Sequence, residues 1–121
     1  MIAVIFEVWP AEGEKQHYLD IAAGLRAELE TIDGFLSIER FQSISNPEKM
    51  LSLSFFRNEE AVRAWRNTLP HRTAQVLGRS GVFSDYRLHI AHVIRDYGLL
   101  KREEAPADSR DAHSVEGSSL G

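Results

Sequence analysis

Between residues 64 and 75 the chain reads AWRNTLPHRTAQ, and Trp65 and His71 are the two residues in it suited to chemistry. An imidazole that titrates near neutral pH can take a proton and return it during turnover. A broad indole ring beside it makes a flat wall for an aromatic molecule, with the ring N–H as a polar handle. Each residue also has a plainer use. Trp65 stands four residues after Ala61 and four before Leu69, where simple packing of a helix stripe would put it. His71, three residues before Ala74, would serve equally well as a helix-end residue that hydrogen-bonds a carbonyl.

Tyr86 and Arg87, next to Asp85, are positioned to meet an anionic or phenolic ligand, although residues in such places more often form edge ion pairs. His89 and His92 differ by an odd number of positions, so a regular strand points them to opposite faces and they cannot share a metal without a bulge. His17 and His113 lie in distant segments, and no metal-ligand spacing emerges. The chain contains no GxGxxG, GxxxxGK or GxSxG, the motifs that dinucleotide, nucleotide and α/β-hydrolase chemistry would require.

The elements that must position these residues are legible from periodicity. Residues 2–9, IAVIFEVW, are β-branched and aromatic and end at Pro10, which predicts a first strand. Tyr18, Ile21, Ala22, Leu25, Leu29 and Ile32 recur at three- and four-residue steps, which predicts a helix from Glu14 to about Ile32 with one buried stripe. Gly34, in TIDGF, is free to take the left-handed conformation that ends it. Residues 35–43 and 50–56 read as a hairpin around SISNPEK, whose Asn-Pro favours a turn. Asn58 is a suitable N-cap for a second helix carrying Ala61, Val62, Trp65 and Leu69. Pro70 ends it or opens a short helix through HRTAQVLG, and period-two spacing from Phe83 to about Tyr97 predicts a long last strand.

The resulting order is strand, helix, strand, strand, helix, strand. It is the ferredoxin-like βαββαβ plan, an α+β fold whose antiparallel sheet carries both helices on one face. Residues 1–98 make that single domain. Residues 99–121, ending KREEAPADSRDAHSVEGSSLG, hold few large apolar groups and read as a flexible tail or an arm that orders against a partner.

Two helices cover one face of four strands, yet the first strand is apolar on both. Ile2, Val4, Phe6 and Val8 share one side, while Ala3, Ile5 and Trp9 share the other. Ala91 and Val93 also stand opposite the main stripe of the last strand, and in the third strand Met50 and Phe56 stand opposite Leu51, Leu53 and Phe55. An uncovered apolar sheet of this size points to a homodimer, sheet against sheet, with cover by the chain's own tail as the alternative.

Composition narrows the partners. With 14 basic against 18 acidic residues and a net charge of −4, the chain offers no field for gathering phosphates, so no nucleic acid partner is expected. The absence of cysteine excludes disulfides, thiolate metal sites and a cysteine nucleophile. MIAVIFEVWP is too short to span a membrane and lacks the flanks of a signal peptide, which makes a cytoplasmic address the expectation and a membrane partner an unexpected one.

The stretch AWRNTLPHRTAQVLGRSGVFSDYRLHIAHVIRDYG, following MIAVIFEVWPAEG and YLDIAAGLRAEL, resembles the antibiotic biosynthesis monooxygenase domain family over about residues 1–98. The helix-two tryptophan, the histidine after it, the GR before the last strand and the RDYG end carry the likeness. The resemblance implies a dimeric α+β barrel. It also implies that a small aromatic or quinol-type molecule is oxidised by molecular oxygen without metal, flavin or nicotinamide, the substrate anion itself reducing the oxygen.

On that resemblance Trp65 matches the pocket tryptophan and His71 stands where quinone-forming members have a tyrosine, so His71 and Trp65 are the catalytic candidates. Phe6, Tyr86 and Arg87 are the substrate-binding candidates. The asparagine that such members place one turn before the tryptophan is Ala61 here. Haem-degrading relatives use a strand-one asparagine and a later histidine, and those positions fall at Phe6 and near Gln75, which disfavours haem. The alternative reading is a non-catalytic dimer that binds a small ligand or regulates. The two part on whether polar groups converge on an open cavity beside Trp65 or Phe6 and Leu69 fill the space.

Overall fold

The computed structural model describes residues 1–68, 72, 76 and 81–109. Its elements are β1 (Ile2–Pro10), α1 (Lys15–Glu30), β2 (Phe35–Gln42), β3 (Met50–Phe56), α2 (Glu59–Arg66) and β4 (Phe83–His92). The strands form one sheet in the order β2-β3-β1-β4, with every neighbouring pair antiparallel. This is the βαββαβ order expected. β3 returns from the β2 hairpin into the gap that the first crossover leaves beside β1.

Local chemistry fixes the element ends. Asn58 caps α2 by accepting a hydrogen bond from the Ala61 amide at 2.9 Å, and Glu59 and Glu60 in its first turn oppose Arg63 and Arg66 in its last, complementing the helix dipole. Gly34 has φ +92°, and a Cβ placed on it would stand 2.8 Å from the Ala61 Cβ. The turn after α1 and the close approach to α2 both demand glycine here. Gly34→Ala is expected to lower stability by about 2–4 kcal/mol, combining left-handed strain with overpacking, a loss that urea denaturation would measure.

Two expectations need correction. The last strand ends at His92 and not near Tyr97, because its partner β1 runs out: Ile2 pairs with His92, and the Val93 amide reaches the Met1 carbonyl. In β3 the inner row is Met50, Ser52, Ser54 and Phe56, all buried, and Leu51, Leu53 and Phe55 lie on the outer face. Register dictates this, since Ser54 pairs with Val4 and Ser52 with Phe6, whose row faces the helices. The short helix expected through HRTAQVLG lies outside the described residues, apart from Arg72 and Val76.

The core divides into two clusters toward opposite ends of the strands. Ile2, Leu29, Phe56, Ala61 and Val62 make one, with Trp65 packed against it. Val8, Tyr18, Met50 and Val82 make the other. Between them the inner face consists of two cross-strand rows, Ile38–Ser54–Val4–Ile90 and Arg40–Ser52–Phe6–Leu88. At the ends of β3, Met50 and Phe56 are large enough to fill the layer between sheet and helices. Ser52 and Ser54 are not, and the layer is hollow above them.

Candidate active site

The hollow is a cavity of about 260 Å³ between the sheet and the two helices. Its floor is the pair of middle rows. Its roof comes from α1, through Tyr18, Ile21, Ala22, Leu25, Arg26 and Leu29, and from α2, through Val62, Trp65 and Arg66. The three- and four-residue steps that mark α1 as a helix also aim this stripe at the chamber. Phe83 and Tyr86 complete the wall beside Phe6, with ring centroids 5.8 Å and 5.7 Å from it, and the Tyr18 ring meets Phe83 edge-on at 5.6 Å. Tyr86, Leu88 and Ile90 are about half exposed, so the chamber opens along the β4 side.

Of the residues singled out from sequence, the fold brings Trp65, Phe6 and Tyr86 into this one chamber. Trp65 has both of the uses foreseen for it: it packs on the Ile2–Phe56 cluster and also walls the cavity. Arg87 goes elsewhere. Odd-numbered residues of β4 point away from the helices, and Arg87 pairs with Glu7 on the uncovered face. His71 lies outside the described residues, as does Leu69. Ala61 turns toward Gly34 and not into the chamber, so its lack of a polar group removes nothing from the cavity wall.

Sequence reasoning missed the polar groups that the chamber does hold: Tyr18, Arg26, Arg40, Ser52, Ser54 and Arg66. A usable signal was present. Arg40 and Ser52 are polar residues directly paired at inner positions of neighbouring strands, which a fully packed core would not tolerate. Burial pushes the Tyr18 phenol above its ordinary pKa, partly opposed by the nearby Arg40 guanidinium, so it remains a neutral donor at physiological pH.

On the uncovered face Glu7 accepts from Lys49 at 2.6 Å and lies 3.3 Å from His89, and the Lys49 ammonium sits 5.0 Å from the centre of the Trp9 ring. The hydrogen bond from Lys49 holds the Glu7 carboxyl below the usual glutamate range. Around this group lie Ile5, Leu51, Leu53 and Phe55, only partly buried. His89 is thus on the outer face and His92 on the inner, as their spacing requires. Among the described residues no group of three or more histidine, aspartate and glutamate side chains is placed to hold a metal ion, and no helix is long and apolar enough to cross a membrane.

Comparison with known proteins places this geometry in context. The family model described as antibiotic biosynthesis monooxygenase matches residues 1–77. A protein of Pyricularia oryzae named jasmonate monooxygenase ABM is 42% identical over 114 residues, covering 92% of this chain and 53% of its own length. The chain therefore spans about half of that relative. Among solved structures, a Deinococcus radiodurans protein assigned to the antibiotic biosynthesis monooxygenases superposes with a TM-score of 0.73 at 12% identity, covering 81% of this chain and 97% of that one. The Mycobacterium tuberculosis protein Rv0793 gives 0.73 at 11% identity, covering 80% and 98%. At such identities these structures speak for the fold alone.

Proposed function

The chain belongs to the antibiotic biosynthesis monooxygenase family, and from that premise we propose that the helix-covered cavity is the chamber of a cofactor-independent monooxygenase acting on a small aromatic or quinol-type molecule. One observation carries the reading: the space beside Trp65 is open, and polar groups converge on it from α1, β2 and β3. Phe6, Phe83 and Tyr86 offer a stacking wall for a flat ring, and Trp65 closes another side.

The chemistry balances without an added reductant. A ring methylene activated by a neighbouring phenol gives up four electrons and two hydrogens; one oxygen atom becomes the new carbonyl, and the other leaves with both hydrogens as water. The protein's part is to orient the ring and remove the phenolic proton. His71 is the proposed base. It follows Thr68, whose amide and hydroxyl both bond the Trp65 carbonyl, and three residues of chain reach at most about 11 Å from there. Trp65, Phe6 and Tyr86 are proposed to hold the substrate; Arg87, on the other face of the sheet, is not.

A second copy of the chain is proposed to cover the outer face, where Ile5, Trp9, Leu51, Leu53 and Phe55 form an apolar surface around the Glu7 group.

The test is oxygen uptake by purified, metal-stripped protein over a panel of hydroxylated anthrones and quinols, with jasmonic acid added because of the relative's name. Uptake matched one to one by product supports the reading. Binding without uptake across the panel would favour the non-catalytic ligand-binding module instead.

A further inference from the structure

Three of the chamber's polar groups share one edge of its floor. Arg40 and Ser52 are direct partners across β2 and β3, Ser54 is the next inner residue of β3, and Arg40 is near enough to the Tyr18 phenol to oppose the rise in its pKa. Arg40, Ser52 and Ser54 stand at the β2–β3 end, and Tyr18 on α1 roofs the space between them and Phe83. The other end of the same floor, Phe6, Leu88 and Ile90 on β1 and β4, is apolar.

Charge at the polar end is unbalanced. The Arg40 Nε is buried with no hydrogen-bond partner, and Arg40 has no ion pair among the described residues. The described lining includes Arg26, Arg40 and Arg66 and no aspartate or glutamate. Arg26 is offset by Glu30 at 3.1 Å, but the neighbour of Arg40 on its own strand, Glu39, is sent to the opposite face by strand alternation. A guanidinium partly withdrawn from water in this way calls for an anion.

We infer that Arg40, with Ser52, Ser54 and Tyr18, forms a carboxylate-binding subsite, and that the substrate is a carboxylic acid whose flat apolar body extends toward β4. This rests on reading the cavity as the substrate chamber. A carboxylate suits the donor set: its two oxygens accept about four hydrogen bonds, and the planar guanidinium fork presents paired donors to them. Three strand spacings separate Arg40 from Leu88, roughly 14 Å, which allows an anchored acid to reach the aromatic wall.

The experiment is binding by calorimetry under anaerobic conditions, so that it stands apart from turnover. The probes are jasmonic acid and 4-phenylbutanoic acid, each against its methyl ester. Wild type is expected to bind the acids at least tenfold more tightly than the esters, with the preference fading as pH falls through the ligand's own carboxyl pKa. Arg40→Met should abolish the preference and leave ester binding in place; Arg40→Lys, which keeps the charge but loses the fork, should retain part of it. Equal binding of acid and ester by wild type, no binding of either acid at millimolar concentration, or a preference that survives Arg40→Met would overturn the assignment. Should Arg40→Met fail to fold, the ester comparison and pH dependence in wild type decide alone. Wild-type oxygen uptake as efficient with neutral quinols as with any acid would count against the carboxylate anchor and leave the oxygenase reading intact, whereas selective acid binding without any uptake would do the reverse.

Discussion

Leu53→Asp is expected to convert a dimer, twice 13.7 kDa, into a chain of 13.7 kDa, measured by light scattering after size exclusion at micromolar concentration. Leu53 sits at the middle of the uncovered face, paired with Ile5 on one side and Glu39 on the other. A two-fold contact of ordinary size removes about 800 Å² per chain from water, and apolar area contributes roughly 25 cal/mol per Å². Symmetry doubles the insult, because the substitution sets one unpaired carboxylate from each chain into the contact. Within the single chain the same change costs only about 1 kcal/mol in strand preference, since the position is already partly exposed. Circular dichroism should therefore stay native while the mass halves. A wild-type protein that already runs as a single chain would remove the proposed dimer.

His71→Ala is expected to lower kcat by about 10²–10⁴, the usual contribution of a positioned base. The sign with pH follows from the group itself. A base acts only when unprotonated, so wild-type kcat/KM should rise with pH as the neutral imidazole forms. The variant should lose that rise and recover activity only where the substrate's own hydroxyl ionises. Trp65→Leu serves as the contrast: it should raise KM by about tenfold through lost stacking area, with a smaller change in kcat and the wild-type pH profile preserved. A fully active His71→Ala would remove His71 from the role of base, and Tyr18, whose phenol burial keeps protonated, does not stand in for it.

The βαββαβ order was readable because each element announces itself locally. The α1 stripe repeats at helical steps, Asn58 caps α2 as its type suggests, and Gly34 adopts the left-handed turn that no other residue would take cheaply. What escaped was side-chain sidedness in β3. LSLS alternates perfectly, and ordinary reasoning puts leucine inside and serine outside; the register with β1 reverses them. That reversal is legible only once two facts are joined: the outer face is itself apolar, and the inner face has a hollow that hydroxyls can line. Arg40 was overlooked for the same cause, being a charged residue at an inner strand position, while Arg87 was favoured although its parity sends it to the outer face. Trp65 and Phe6 were reachable from sequence because large rings on inner stripes must touch whatever lies between helix and sheet.

The most direct measurement of the central claim is turnover of the oxygen-uptake substrate under ¹⁸O₂ in metal-stripped protein with no added reductant, read by mass spectrometry. The expected product carries a single ¹⁸O atom, formed in one-to-one ratio with oxygen consumed and strongly slowed when Ser54→Leu narrows the chamber. Product oxygen drawn from water, or turnover that persists undiminished in Ser54→Leu, would contradict it.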